Sequence, residues 1–211
     1  MAIIISGCGG GYDIFGGLPL YYRLKSGSSK IVLCNLSFAI DLWKDNTVET
    51  LKSSAGVNVY KVQPGPNGPD CAEYLLAKQI NCPVYAMCHY ETVRDIKLFY
   101  ETVISHACPE GVSALYLVDG GCDVLLSGKE SGLGTPVEDM MHLRAVCSLD
   151  SIANITVCAI GLNIDCGHGV LEEELRTRLD ELRKLSSFKE SQWNLCDPAI
   201  QYYADIVALC K

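Results

Sequence analysis

The residue types that bind or transform small molecules gather in a few glycine-rich stretches of this 211-residue chain. The first is Ser6-Gly7-Cys8-Gly9-Gly10-Gly11-Tyr12-Asp13, with four glycines in the five positions 7–11. Without a Cβ, such a loop lets backbone N–H groups approach an anion closely, and a helix start just beyond adds a favourable dipole. The spacing departs from the dinucleotide fingerprint G-x-G-x-x-G: counted from Gly7 the sixth position is Tyr12, and counted from Gly9 it is Ile14. No Gly-Lys-Ser/Thr follows, so it is not a Walker loop either. A tight turn alone needs fewer glycines. The expectation is therefore a phosphate cradle formed by Ser6, Gly7, Gly9, Gly10, Gly11 and Asp13.

Three later stretches carry acids. In Asp119-Gly120-Gly121-Cys122-Asp123, the two carboxylates on a glycine loop suit Mg²⁺ held through water, or a ribose hydroxyl. The competing reading is an Asx-type turn with solvated acids. In Gly132-Leu133-Gly134-Thr135-Pro136-Val137-Glu138-Asp139, Thr135 reads as an N-cap, Pro136 as the first helical residue and Glu138 as the third, which is a capping box. Thr135 also stands beside the glycines as a ligand contact, while Asp139 and His142 have no role in the box and are open candidates. In Gly161-Leu162-Asn163-Ile164-Asp165-Cys166-Gly167-His168-Gly169, Asp165 and His168 could orient one another as a general acid–base pair. Asp139, Asp165 and His168 are thus the proton-transfer candidates. Asn35, Ser37, His89 and Glu91 follow other apolar runs, and Glu91 suits the first turn of a helix. Cys8 near a helix start would gain nucleophilicity from a lowered pKa, which the nearby Asp13 opposes.

These stretches are positioned by short apolar runs at 2–6, 30–34, 57–62, 83–88, 113–118 and 154–160. Most are continuous rather than alternating, as strands covered on both faces of a parallel sheet should be. Between them, 91–107 and 171–185 carry apolar residues at helical spacing, with Glu172/Arg176 and Glu174/Arg178 as i,i+4 pairs. A helix is expected from about residue 70, another over 198–209, and a short one over 47–52; Pro19 should delay or kink the helix after the first loop. The rhythm predicts an α/β fold: a doubly wound, mostly parallel sheet of about six strands with helices on both faces. The chain reads as one domain over 1–211. Ligands of such sheets bind outside the carboxyl ends of the strands, where all the glycine-rich stretches fall.

Composition narrows the classes further. The net charge is −8, with 17 basic and 25 acidic residues and no basic cluster, which argues against nucleic acid as a partner. No apolar run nears the roughly 20 residues of a membrane span, and the start lacks the pattern of a signal peptide. The twelve cysteines include no C-x-x-C, and Cys34, Cys88 and Cys158 lie in or beside apolar runs, so reduced thiols in the cytoplasm are expected rather than disulfides or zinc.

Taken in order, the first glycine loop with Gly17-Leu-Pro-Leu-Tyr-Tyr-Arg-Leu24, then 119–123, then 132–139, resemble the domain of unknown function 1152 family across most of residues 1–170. The resemblance implies a Rossmann-like α/β fold and no activity. Members commonly carry glycine at the position of Cys8 and tend to run longer, so residues 186–211 read as a packing helix or the remnant of a longer domain.

The residues leave several functions open. One is an enzyme, Mg²⁺-dependent in its simplest form, acting on a nucleotide or other phosphorylated small molecule. A second is a non-catalytic or regulatory module using the same pocket. A third, NAD-type binding, is weakened by the broken fingerprint and by Asn35 and Ser37 standing where an acid is needed. A homo-oligomer whose loops are only turns is the fourth.

Overall fold

A computed structural model describes residues 1–134 and 136–210. Its sheet has seven strands: β1 (Ala2–Gly7), β2 (Lys30–Leu36), β3 (Val48–Lys52), β4 (Asn58–Val62), β5 (Val84–Met87), β6 (Val112–Asp119) and β7 (Ile155–Ala159). Their order across the sheet is β3-β4-β5-β2-β1-β6-β7. The strands β5-β2-β1-β6-β7 are mutually parallel, whereas β4 runs antiparallel to both β5 and β3. The sheet is therefore mixed and one strand larger than the sequence suggested.

The extra strand is β3, where the sequence suggested a short helix over 47–52. Pairing decides the matter: Val48 lies opposite Val62 and Lys52 opposite Asn58, closing a hairpin through Gly56 at φ +86°. Val48 and Leu51 pack on opposite faces of the sheet. A five-residue segment gains more from cross-strand neighbours than from one unsupported helical turn.

Helices cover both faces. On one side, α4 (Val93–Ala107) and α5 (Pro136–Val146) bury Ile96, Phe99, Tyr100, Val103, Ala145 and Val146 against the sheet. On the other, α1 (Asp13–Gly16), α2 (Leu18–Leu24), α3 (Ala72–Ile80) and α7 (Pro198–Leu209) bury Ile14, Phe15, Leu18, Leu76, Ala77 and Ile206. The predicted break near Pro19 is real: α1 ends at Gly16 and α2 resumes with Pro19 at its second position, where a missing N–H does no harm. Thr92 and Asp95 cap α4 reciprocally.

α6 (Glu172–Leu182) sits over a small satellite core with Leu175 and Leu179 inward. Of the two i,i+4 pairs expected there, Glu172–Arg176 forms at 2.6 Å. Arg178 turns instead to the Leu125 carbonyl and Glu181, and Glu174 accepts the Ser131 amide. α7 is fixed to α2 by Arg23–Asp197 at 2.6 Å and by Tyr22 against Tyr202, with Lys25 over both rings.

Two consequences of this topology position the site. The five parallel strands deliver their following loops to one edge of the sheet, while the reversed β4 sends the Pro/Gly segment 64–69 to the other. The chain also leaves β1 toward β2 on one side and returns through β6 on the other, so the carboxyl ends of β1 and β6 flank the crevice where such sheets bind ligands.

Candidate functional site

Four aspartates from three separate stretches of the chain meet in that crevice. Asp13 opens α1, with Oδ2 accepting from the Gly10 amide at 3.1 Å and Oδ1 from the Gly120 amide at 3.2 Å. It thereby joins the loop after β1 to the loop after β6. Asp119 ends β6, its two oxygens accepting from the Gly121 amide at 2.7 Å and the Val124 amide at 3.2 Å. Asp123 begins a single 3₁₀ turn, and Asp139 lies in the first turn of α5; their carboxyl groups hydrogen-bond to each other. Asp119, Asp123 and Asp139 are each 4–5% exposed, and one oxygen from each falls within 4.8 Å of the others.

Burial of so many acids raises their proton affinity. Asp139 is pushed up to about 9 by desolvation, by its hydrogen bond with Asp123 and by the charge of Asp119. Asp13 rises to about 8 through desolvation and the charge of Asp119. Asp119 rises to about 7, mainly through desolvation, with the Gly121 amide opposing the change. A carboxyl–carboxyl hydrogen bond requires a proton on one partner. The group is thus held together either by protons or by a cation.

The glycines make room for carboxylates. A Cβ on Gly9 would lie 2.1 Å from Asp139 Oδ1, one on Gly134 2.7 Å from Asp123 Oδ2, and one on Gly120 2.9 Å from Asp13 Oδ1. Meanwhile the loop's amides are largely engaged inside the protein. Cys8 donates to the Val118 carbonyl, Gly10 to Asp13 and Gly11 to the Leu36 carbonyl. The loop expected to cradle an anion with bare amides instead surrounds an acid cluster.

Gly9→Ala tests this packing. Gly9 has φ +82°, and so does Gly111 within a few degrees at +85°, but around Gly111 nothing lies within 4 Å of the added carbon. Both variants should lose about 1–2 kcal/mol from left-handed strain. Only Gly9→Ala should also displace Asp139, and so abolish any saturable Mn²⁺ binding in a calorimetric titration that Gly111→Ala retains.

The other sequence candidates divide clearly. Gly7, Gly120 and Gly121 line the crevice, with Gly7 against Asn35 Oδ1 and Gly121 against the Asp165 carboxylate. Ser6 does not face it: its hydroxyl accepts from Tyr100 at 2.7 Å and donates to the Gly7 carbonyl, wholly buried. Asp165 and His168 do not meet as a pair. The Asp165 carboxylate turns to the Cys122 amide, and His168 is exposed on the surface. His142 is a core histidine, its Nε2 bonded to Tyr100 and its pKa lowered by burial to about 3, hence neutral. Cys8 is fully buried beside Asp139, and desolvation with the surrounding carboxylates drives its thiol far above the ordinary range. That removes it as a nucleophile. Thr135, and with it the capping box to Glu138, lies outside the described residues.

Asn35 and Ser37 stood out in the sequence, but the partner that joins them did not. Glu73, on α3 and 1% exposed, receives the Asn35 amide at 2.6 Å and the Ser37 hydroxyl at 2.9 Å, and Asn35 also donates to the Gly11 carbonyl. This network braces the glycine loop from below. In the sequence Asn35 and Ser37 followed an apolar run, while nothing local marked Glu73, next to Tyr74, Leu75 and Leu76, as buried.

Two surface hollows lie away from the acids: one of about 620 Å³ between β3 and α4, lined by Thr50, Leu51, Leu98 and Thr102 among others, and one near Gly56, Tyr60 and His89. Neither is lined by Asp119, Asp123 or Asp139.

Fold and crevice define an α/β protein with a mixed seven-stranded sheet and a carboxylate site at the ends of β1 and β6. The chain belongs to the family described as protein of unknown function (DUF1152), whose model matches residues 53–207. Asp119, Asp123 and Asp139 fall within that match; the first glycine loop precedes it. No curated protein and no solved structure matches the chain. Among the described residues, no helix is long and apolar enough to cross a membrane.

Proposed function

We propose that this chain binds a phosphorylated small molecule, most simply a nucleotide, through a divalent cation held by Asp119, Asp123 and Asp139 with Asp13 beside them. The observation that carries this reading is the convergence of three buried carboxylate oxygens within 4.8 Å. All-oxygen donors of this kind suit a hard cation such as Mg²⁺ or Mn²⁺. A phosphate alone would meet strong repulsion: two like charges 4 Å apart cost about 4 kcal/mol at an effective dielectric of 20. With the amides of Cys8, Gly10 and Gly11 already bonded, an anion would need the cation as its bridge.

When bound, a divalent ion would polarise a phosphoryl oxygen and lower the pKa of a coordinated water. The residues supply the rest. The amides of Gly121 and Val124 orient Asp119, those of Gly10 and Gly120 orient Asp13, and Asp165 fixes the Cys122 amide within the same loop. Asp139 belongs with the ion-holding group rather than with a separate proton-transfer pair. A binding or regulatory module is the second reading, favoured because Asp165 and His168 do not form an acid–base pair. We read the parallel core as Rossmann-like, and all twelve cysteines, free in the structure, as fitting a reducing cytoplasm.

Thermal unfolding tests the proposal, with millimolar Mg²⁺ or Mn²⁺ added alone and then with ADP, ATP or pyrophosphate. A ligand at about 100 times its dissociation constant contributes about 2.7 kcal/mol, a rise of roughly 5–10 °C in a domain of this size. The cations should act alone, and the phosphates only in their presence. Indifference to every cation would sink the reading.

A further inference from the structure

Beside the acid nest stands an aromatic ring that the core does not use. Phe38 follows β2 and is 71% exposed, yet its ring lies against Gly11, where an added Cβ would come within 2.7 Å of Cε2. The backbone beneath it is held firmly. The Gly11 amide bonds the Leu36 carbonyl, Ser37 is buried with its hydroxyl on Glu73, and that same oxygen accepts the Ala39 amide at 3.1 Å. Phe38 is thus a solvent-facing ring on a rigid ledge. Tyr12, the next residue after Gly11, is 63% exposed, and Ile40 is 66% exposed. Isolated surface apolar residues are ordinary, but Phe38 is the one of these three whose ring lies against the glycine loop.

The Phe38 ring adjoins the acids through the loop itself. Gly11 touches Phe38, and Gly9, two residues earlier, touches Asp139. Their Cα atoms are therefore at most about 7 Å apart. A ligand with a charged end over the acids would reach the ring with its other end.

We infer that Phe38 is a stacking platform for the planar base of a nucleotide whose phosphates face the acid nest. This rests on the cation-bridged reading above and names the ligand class within it. An aromatic face takes any base, so the platform selects nucleotides over plain phosphates and discriminates little among purines. Glycine at position 11 is what allows the ring to lie close to the loop.

Calorimetric titrations in Mg²⁺ should compare ADP and GDP with inorganic pyrophosphate. Phe38→Ala should weaken both nucleotides by roughly tenfold to a hundredfold, leaving pyrophosphate affinity unchanged, and Phe38→Trp should restore nucleotide binding. The exposed position keeps both variants foldable, which their melting temperatures would verify. Equal nucleotide affinity in Phe38→Ala and the unaltered protein would overturn the inference. So would binding of pyrophosphate without nucleotide, or a Phe38→Ala effect confined to dissociation of a dimer in sedimentation. If neither pyrophosphate nor nucleotide binds with Mg²⁺, the underlying cation reading falls, and the stacking role with it.

Discussion

Without a cation, the protein should melt at least about 5 °C lower near pH 9 than near pH 5. In the unfolded chain an aspartate ionises near 3.8, whereas the folded protein holds Asp119, Asp13 and Asp139 protonated up to about 7, 8 and 9. Between those limits the folded state keeps protons that the unfolded state releases. Stability is therefore highest below pH 4 as far as these groups are concerned, and drains away as pH climbs through the folded values. Even one carboxyl held roughly two pH units above its free value contributes about 3 kcal/mol. Millimolar Mg²⁺ should flatten the profile above neutrality, because the ion replaces the protons, and a weakly buffered titration should record their release. A melting temperature independent of pH from 5 to 9 would contradict the buried acid nest itself.

The second large effect has opposite signs in two measurements. Asp139→Asn should raise the cation-free melting temperature near pH 8 by about 3–10 °C, and should weaken Mn²⁺ by roughly a hundredfold or more. The amide keeps the shape and a hydrogen bond toward Asp123, and it spares the folded protein the proton that Asp139 must take up near pH 8 because desolvation and its hydrogen bond with Asp123 raise its pKa to about 9. A site kept for binding at the expense of stability behaves in this way. If Asp139→Asn instead destabilised the protein without altering ion affinity, the carboxylate would be a structural hydrogen-bonding group only.

The sequence disclosed the fold unevenly. The runs that became β1, β2, β5 and β6 are nearly continuous in apolar residues because both faces are covered, and α7 follows the predicted 198–209 because Asp197, Pro198 and an apolar stretch mark it. β3 escaped because Val-Glu-Thr-Leu-Lys lies at the sheet's edge, half exposed, and takes its conformation from β4. The reversal of β4 was equally hidden, since direction is a property of pairing and not of composition.

At the site, each acid stood out beside glycine or at a helix start. What no local pattern could state is that residues 13, 119, 123 and 139 share one nest; that follows from β1 and β6 being neighbours. The glycines were noticed for the wrong reason, as donors of bare amides, whereas their missing side chains accommodate carboxylates. Asp165 and His168, three apart in a loop, seemed a natural pair, but the carboxylate finds a backbone partner across the crevice.

The clasp between α2 and α7 bears on biosynthesis. Arg23 and Asp197 are 174 positions apart, so the outer flank of α2 has no cover while the intervening chain is still being translated. Until then α2 stands with Tyr21, Tyr22 and Leu24 uncovered by their eventual neighbours, a form that chaperones recognise and proteases cut. Emergence of α7 closes that flank, so α2 settles against its neighbour only after a segment 174 positions later has been made.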